Sequence, residues 1–180
     1  MLSAAARERV QRIRRATGQM HSLIEALLFL ARGESTDSAQ VCALDRIVTE
    51  SAELVGAQAA TKSLRFSVSV QPVMVSGSPI MVACVINNLL LNAVNFTQEG
   101  SITVELTAAE LIVHDTGIGI PPKDLSRIFE RRYRGPQSRG LGLGLYLVSR
   151  ICQRLGWTIE THSAEGAGTT FRIILGAGGS

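Results

Sequence analysis

What the chain lacks narrows it first. Its three cysteines, Cys42, Cys84 and Cys152, form no CxxC pair and no metal-ligand spacing, so neither a disulfide framework nor a zinc site is expected. Each lies in an apolar stretch and reads as a small core residue in a reducing compartment. No run approaches the ~20 apolar residues that span a bilayer, and the arginine-rich, polar N-terminus is unlike a signal peptide. A soluble segment is therefore expected. Net charge is +3, too small to argue for nucleic acid, and no nucleic-acid partner is expected. No Gly-Lys-Ser/Thr is present to make a P-loop. The glycine-rich stretch also comes too late, and in the wrong element order, for a Rossmann βαβ unit.

What is there is globular. A chain of 180 residues, 46% apolar and 18% charged, has room for one ordinary domain and an appendage. The arginines are unevenly placed. Arg7, Arg9, Arg12, Arg14 and Arg15 crowd the first helical stretch and read as a solvated face. Arg127, Arg131, Arg132, Arg134 and Arg139 crowd a later segment beside three closely spaced glycines, where contact with an anionic ligand is the better expectation.

Residues 4–31 read as one long helix with an apolar stripe at Val10, Ile13, Met20, Ile24, Leu27 and Leu28. Gly33 stops it, and the polar stretch 34–40 marks a boundary. A short strand at Val41 to Leu44 follows, and Asp45 is expected to cap a helix carrying Ile47, Val48, Leu54 and Val55 on one side. Leu64 to Val70 alternates as a strand that Val73 to Val75 could pair with. Ser78-Pro79 opens the next helix. Ile102 to Leu106 and Leu111 to Asp115 are two strands joined tightly. The loop from Gly117 to Gly140 contains a short helix near Leu125 to Phe129. Gly142 then starts a helix ending near Leu155-Gly156. Trp157 to His162 and Thr169 to Leu175 form a closing hairpin, and residues 176–180 a disordered tail. The expected fold is a two-layer α/β sandwich with a mixed sheet of about five strands on three helices, preceded by one long helix.

Four motifs carry the chemistry. Asn88 and Asn92 are i and i+4 on a helix and share a face. Two amides on an apolar helix need partners, either in neighbouring loops or in a ligand, and the Asn92 carbonyl suits Mg²⁺. Asp115 ends a strand, where its carboxylate can accept from an exocyclic amino group and so select adenine over guanine. Gly117 and Gly119, followed by Ile120 and Pro121, let backbone approach a base closely, although Asp-Thr-Gly alone is a common turn. Phe129 and Tyr133 fit a mobile lid whose aromatics pack back onto the domain, which puts Tyr133 among the expected cofactor-binding residues; from this lid Arg134 or Arg139 could reach phosphates or simply be solvated. Gly140, Gly142, Leu143, Gly144 and Leu145 lead into a helix N-terminus, where free N–H groups and the dipole favour phosphate.

In this order the motifs resemble the N, G1, F and G2 boxes of the sensor histidine kinases, within the GHKL ATP-binding superfamily. The resemblance implies that Asn88 faces the nucleotide, that Asn92 coordinates Mg²⁺, and that Asp115 binds the adenine amino group. Asn88 and Asn92 are thus the expected catalytic residues. It also implies that Thr169, after Gly168, contacts adenine through water, against the alternative of a plain hairpin threonine. Two positions depart from the pattern: Asn95 stands where a basic residue is common, and Arg132 where an aromatic is usual.

Residues 23–32 are similar to the end of the second helix of the family's dimerisation domain. The family's acceptor is a histidine followed by an acidic residue and then a proline, on the first helix of that domain. His21, followed by Ser-Leu-Ile, His114 and His162 all read as structural or surface residues. The resemblance therefore implies the ATP-binding fragment of a longer sensor kinase. Its organisation would be 1–33 second dimerisation helix, 34–40 linker and 41–175 catalytic domain. The expected cofactors are ATP and Mg²⁺. The expected partners are ATP or ADP, a second copy through the first helix, and a response regulator through the parent protein. The parent is expected to be a bacterial inner-membrane sensor with this portion in the cytoplasm. Alternatives are another GHKL branch, such as an anti-sigma-factor serine kinase, or a nucleotide-binding module without turnover.

Overall fold

Strict alternation builds the sheet. In the computed structural model, which describes residues 40–133, 135 and 142–176, β4 (Ser101–Leu106) buries Ile102, Val104 and Leu106, and β5 (Glu110–Asp115) buries Leu111, Val113 and Asp115. β7 (Gly168–Ile174) buries Thr169, Phe171 and Ile173 on the same face. With β2 (Arg65–Val70) and β6 (Thr158–Ala164) these form a five-stranded sheet in the order β2-β4-β5-β7-β6. The β2–β4 pair is parallel and the rest are antiparallel, so the sheet is mixed. The long helix expected over 4–31, the linker before Gln40, His21, Arg134, Arg139, Gly140 and the end of the tail lie outside the described residues. The chain divides into two units, Met1–Ser35 and Thr36–Ser180, and everything below concerns the second.

Three helices cover the buried face: α1 (Leu44–Thr61), α2 (Pro79–Phe96) and α4 (Gly144–Leu155). α2 is central and packs on α1, on α4 and beneath β5. Pro79 in its first turn supplies a φ already suited to a helix. Met81, Val82, Val85, Ile86, Leu89 and Leu90 are all buried, each contributing about 1.5–3 kcal/mol by leaving water. By length and composition α2 could cross a membrane, but here it is the core helix of the sandwich.

Five expectations need correction. Val73 to Val75 does not extend the main sheet. Instead β3 (Met74–Ser76) pairs antiparallel with β1 (Val41–Ala43) in a separate ribbon, and β2 takes β4 as its neighbour. Pro72 follows β2 and has no N–H for a ladder, which turns the chain away. Asp45 is not the helix cap but lies within the first turn of α1, where its Oδ1 accepts from the Val73 N–H at 3.3 Å. Leu54 is 72% exposed, because the buried stripe of α1 runs through Val48, Ala52, Val55 and Ala59. The short helix, α3, spans Pro122–Leu125, and α4 starts at Gly144 because Gly142 is left-handed, at φ +68°.

One lysine ties two helices together. Lys62, at the end of α1, sends its ammonium to the carbonyls of Val94 at 2.6 Å, Thr97 at 3.0 Å and Asn95 at 3.5 Å. These are carbonyls that the end of α2 leaves without helical partners, and a cation there also favours the dipole. Burial lowers the lysine pKa. Lys62→Met is expected to destabilise the domain by about 1–3 kcal/mol, with Lys62→Arg recovering part of it. Thermal melts of the two variants check this, and a methionine variant as stable as wild type would contradict it.

Candidate functional site

The site is built around the C-terminal half of α2. Asn88 and Asn92 sit on its half-exposed stripe, and Asn95 follows at an exposed position. The Asn88 side-chain N–H₂ donates to the Cys84 carbonyl one turn earlier at 2.7 Å and lies 3.5 Å from Cys84 Sγ. That engages the donor end of the amide and leaves Oδ1 facing the start of α4. A Cβ on Gly144 would come within 2.5 Å of that oxygen, so only glycine lets α4 begin this close to α2. Asn95 contributes its backbone carbonyl to Lys62 while its side chain stays in solvent.

Asp115 lies at the other end of the site. It is only 4% exposed, and its Oδ1 accepts from the Gly117 N–H at 2.8 Å. Burial pushes its pKa up. The N–H groups of Gly117 and Thr169, the nearby His114 and the Thr97 hydroxyl partly offset this. Gly117 runs flat across the end of α2: a Cβ there would collide with the Phe96 carbonyl and with Asp115 Oδ1. The next N–H, of Ile118, donates to that same Phe96 carbonyl at 3.1 Å.

A hydroxyl pair closes this end. Thr169 stands opposite Asp115 in the ladder and is buried. The Ser163 hydroxyl donates to the Gly168 carbonyl at 2.7 Å and accepts from the Ile120 N–H at 2.8 Å. With its one proton committed, Ser163 accepts from the Thr169 hydroxyl at 2.9 Å. Gly119 and Ile120 are thereby pinned under the β6–β7 hairpin, helped by the Gly166 N–H on the Ile118 carbonyl at 2.7 Å.

The segment after α3 leaves and re-enters at one point. The Arg132 N–H donates to the Gly142 carbonyl at 2.9 Å, and Arg132 holds an unusual φ of +65°. The Tyr133 ring lies 5.1 Å from the Arg127 guanidinium, a cation–π distance. Burial and the Asp124 carboxylate raise the pKa of its phenol. The Tyr133 ring, expected in the lid beside the cofactor, is thus engaged by the α3 side. Ile128 is the buried anchor of this segment, while Phe129 is half-buried. Leu143, Gly144 and Leu145 are half-buried, and among the described residues no side chain caps α4; its first N–H groups have no partner within the helix.

The structure therefore places Asn88 against Gly144 at the start of α4, with Gly142, Leu143 and Leu145 beside it in the chain, and Asp115, Gly117, Gly119, Ile120 and Thr169 around the C-terminal end of α2; Asn92 lies between, one turn beyond Asn88 on the same half-exposed stripe. Thr97, Ser163 and Lys62 were not picked out from the sequence. Thr97 follows α2 directly, and Ser163 falls on the inward face of β6, but only tertiary packing gives either a role. A buried acceptor at one end and an uncapped helix start at the other suit an elongated ligand, with an amino-bearing ring and an anionic tail.

Residues 77–178 match the family described as histidine kinase-, DNA gyrase B-, and HSP90-like ATPase. The sensor protein QseC of Escherichia coli O157:H7 is 36% identical over 175 residues, covering 89% of this chain and 39% of QseC. The chain thus spans about two fifths of that relative. Among solved structures, the mycobacterial sensor histidine kinase MprB superposes with a TM-score of 0.66 at 28% identity, covering 76% of this chain and 95% of that one. Full-length ShkA in complex with AMPPNP gives 0.70 at 25% identity, covering 99% of this chain and 41% of ShkA.

The raised pKa of Asp115 has a stability consequence. The folded state binds this proton more tightly than the unfolded chain, so the buried charge destabilises the fold above the carboxylate range, and that penalty disappears as pH falls through the folded pKa. Asp115→Asn keeps an acceptor for Gly117 and removes the charge. At neutral pH it is expected to melt at or above wild type, with the difference shrinking towards acid. Melting curves across pH check this; a variant less stable at every pH would contradict it.

Proposed function

Because the chain belongs to the histidine kinase-, DNA gyrase B- and HSP90-like ATPase family and has sensor histidine kinases as its relatives, we propose that the site along α2 holds Mg-ATP for phosphoryl transfer to a histidine. The domain is the ATP-binding catalytic domain of a sensor histidine kinase. The observation that carries the residue-level reading is Asp115: a buried carboxylate with acceptor capacity left after its bond to Gly117. An acceptor-only group there favours the adenine amino group over the guanine carbonyl.

The residues fit the nucleotide and the metal. Among the described residues no cluster of three His, Cys, Asp or Glu could hold a metal, and Mg²⁺ asks for few protein oxygens when phosphates supply others. Asn92 would offer one amide oxygen, and Asn88 Oδ1, held by the bond to Cys84, would face the phosphate end. The uncapped N–H groups at Gly144 and Leu145 would receive phosphate oxygens. Bound ATP supplies the transferable phosphoryl group. The protein's contribution is positioning and charge neutralisation, which is most of what this chemistry needs. In the parent protein the phosphoryl group would pass to an acceptor histidine and then to a response-regulator aspartate. That parent is read as a bacterial membrane sensor with this part in the cytoplasm, dimeric through residues 4–31.

His21 lacks an acidic neighbour, and His114 and His162 sit within the sheet, so the chain alone is expected to bind ATP without labelling itself. Titration calorimetry should show ATP and ADP binding strengthened by Mg²⁺, and Asn92→Ala should lose the Mg²⁺-dependent part, about tenfold or more. Incubation with γ-labelled ATP should leave no label unless an acceptor helix is added in trans. Label retained on His21, or Mg²⁺-dependence undiminished in Asn92→Ala, would overturn these assignments.

A further inference from the structure

The face of the sheet turned away from the helices carries a polar row. Ladder partners share a face, so the register sets Ser67, Thr103, His114, Thr170 and His162 side by side across all five strands. Ser67 and His162 are exposed, and the three between them are half-buried. Two imidazoles therefore flank one threonine: His114 from β5 and His162 from β6, with Thr170 of β7 between. His114 Nδ1 lies 2.9 Å from Thr170 Oγ1. That contact tilts the His114 ring over β7, towards His162. It occupies the ring nitrogen nearer the backbone and leaves Nε2 at the outer end of the side chain.

A histidine that ligates a metal is characteristically held by its other ring nitrogen, which fixes the tautomer and the direction of the ring. Thr170 supplies that hold. When Nδ1–H donates to the hydroxyl, Nε2 carries the free lone pair. The two histidines stand two strand spacings apart, about 9.5 Å. Two imidazoles leaning together over a short side chain span that gap to one ion, with metal–nitrogen bonds of about 2.0–2.1 Å. We infer that His114 and His162 form a binding site for a zinc-like divalent transition-metal ion, with water completing the coordination. Imidazole suits zinc, copper and nickel, whereas Mg²⁺ takes oxygen ligands, so this site is separate from the one read at Asn92. Its place in the fold gives it a consequence. Asp115, Thr169 and Ser163 are the adjacent residues on the same three strands and form the neighbouring ladder row, directed to the opposite face. An ion joining His114 to His162 ties β5 to β6 across β7, directly behind the Asp115 end of the α2 site.

The test uses the full chain without nucleotide and Zn²⁺ alone as the probe. Titration calorimetry should show Zn²⁺ binding that excess Mg²⁺ does not displace. His114→Gln and His162→Gln should each weaken it about tenfold or more, and Thr170→Val by a smaller factor. Zn²⁺ should raise the melting temperature of wild type, because an ion that binds only the folded chain stabilises it. It should not raise that of His162→Gln, which, changed at an exposed position, should melt like wild type when no metal is present. The inference is overturned if wild type binds no Zn²⁺, if both glutamine variants bind it like wild type, or if only one of the two weakens binding. Should His114→Gln fail to fold, His162→Gln decides alone, and undiminished binding there overturns the site. None of these outcomes bears on the nucleotide reading, which the ATP titrations above test separately.

Discussion

Everything at this site depends on how the chain after β5 docks on the C-terminal end of α2. The Phe96 carbonyl, left over by the helix, accepts from Ile118, and Gly117 lies against it with no room for a side chain. From the other side Lys62 takes the next free carbonyls. One helix end thus fixes the loop that carries Asp115, Gly117 and Gly119, while the half-exposed stripe of the same helix carries Asn88 and Asn92. Moving α2 along its axis would displace both ends of the site together. This is why a lysine far from the asparagines in sequence bears on the function.

The arrangement sets stability against binding. A carboxylate at 4% exposure and a helix start without a side-chain cap among the described residues are each unfavourable in the folded protein alone. Both lie at the same site. A polar ligand relieves both, so binding energy can come from the spare acceptor capacity of the carboxylate and from helix N–H groups the fold leaves open. Ser163 shows the contrast: it satisfies Gly168, Ile120 and Thr169 at once and serves to hold the loop rather than to receive anything.

Period-two alternation made β4, β5 and the closing hairpin legible in the sequence, and the apolar run with Pro79 at its start did the same for α2. The ordered asparagine, aspartate and glycine motifs located the site's two ends. The partner of Val73 to Val75 was not legible, because choosing between two short neighbours is decided by how Pro72 turns the chain. Leu54 misled because an isolated apolar residue does not define a helix face. Thr97, Ser163 and Lys62 escaped for a deeper reason. A threonine after a helix, a serine in a strand and a lysine at a helix end are ordinary locally, and they acquire roles only from groups 30 or more residues away, or across a hairpin. The left-handed Arg132 is similar: its strain follows from closing onto Gly142, a contact across a loop.

The central claim is that the loop at Gly117 to Ile120 and the start of α4 are two ends of one nucleotide site organised by α2. Amide hydrogen exchange with and without Mg-ATP addresses it directly. Protection is expected to rise together at Gly117 to Ile120 and at Gly144 to Tyr146, with the same dependence on ATP concentration. Protection at only one of these segments, or at different nucleotide concentrations for the two, would contradict the account.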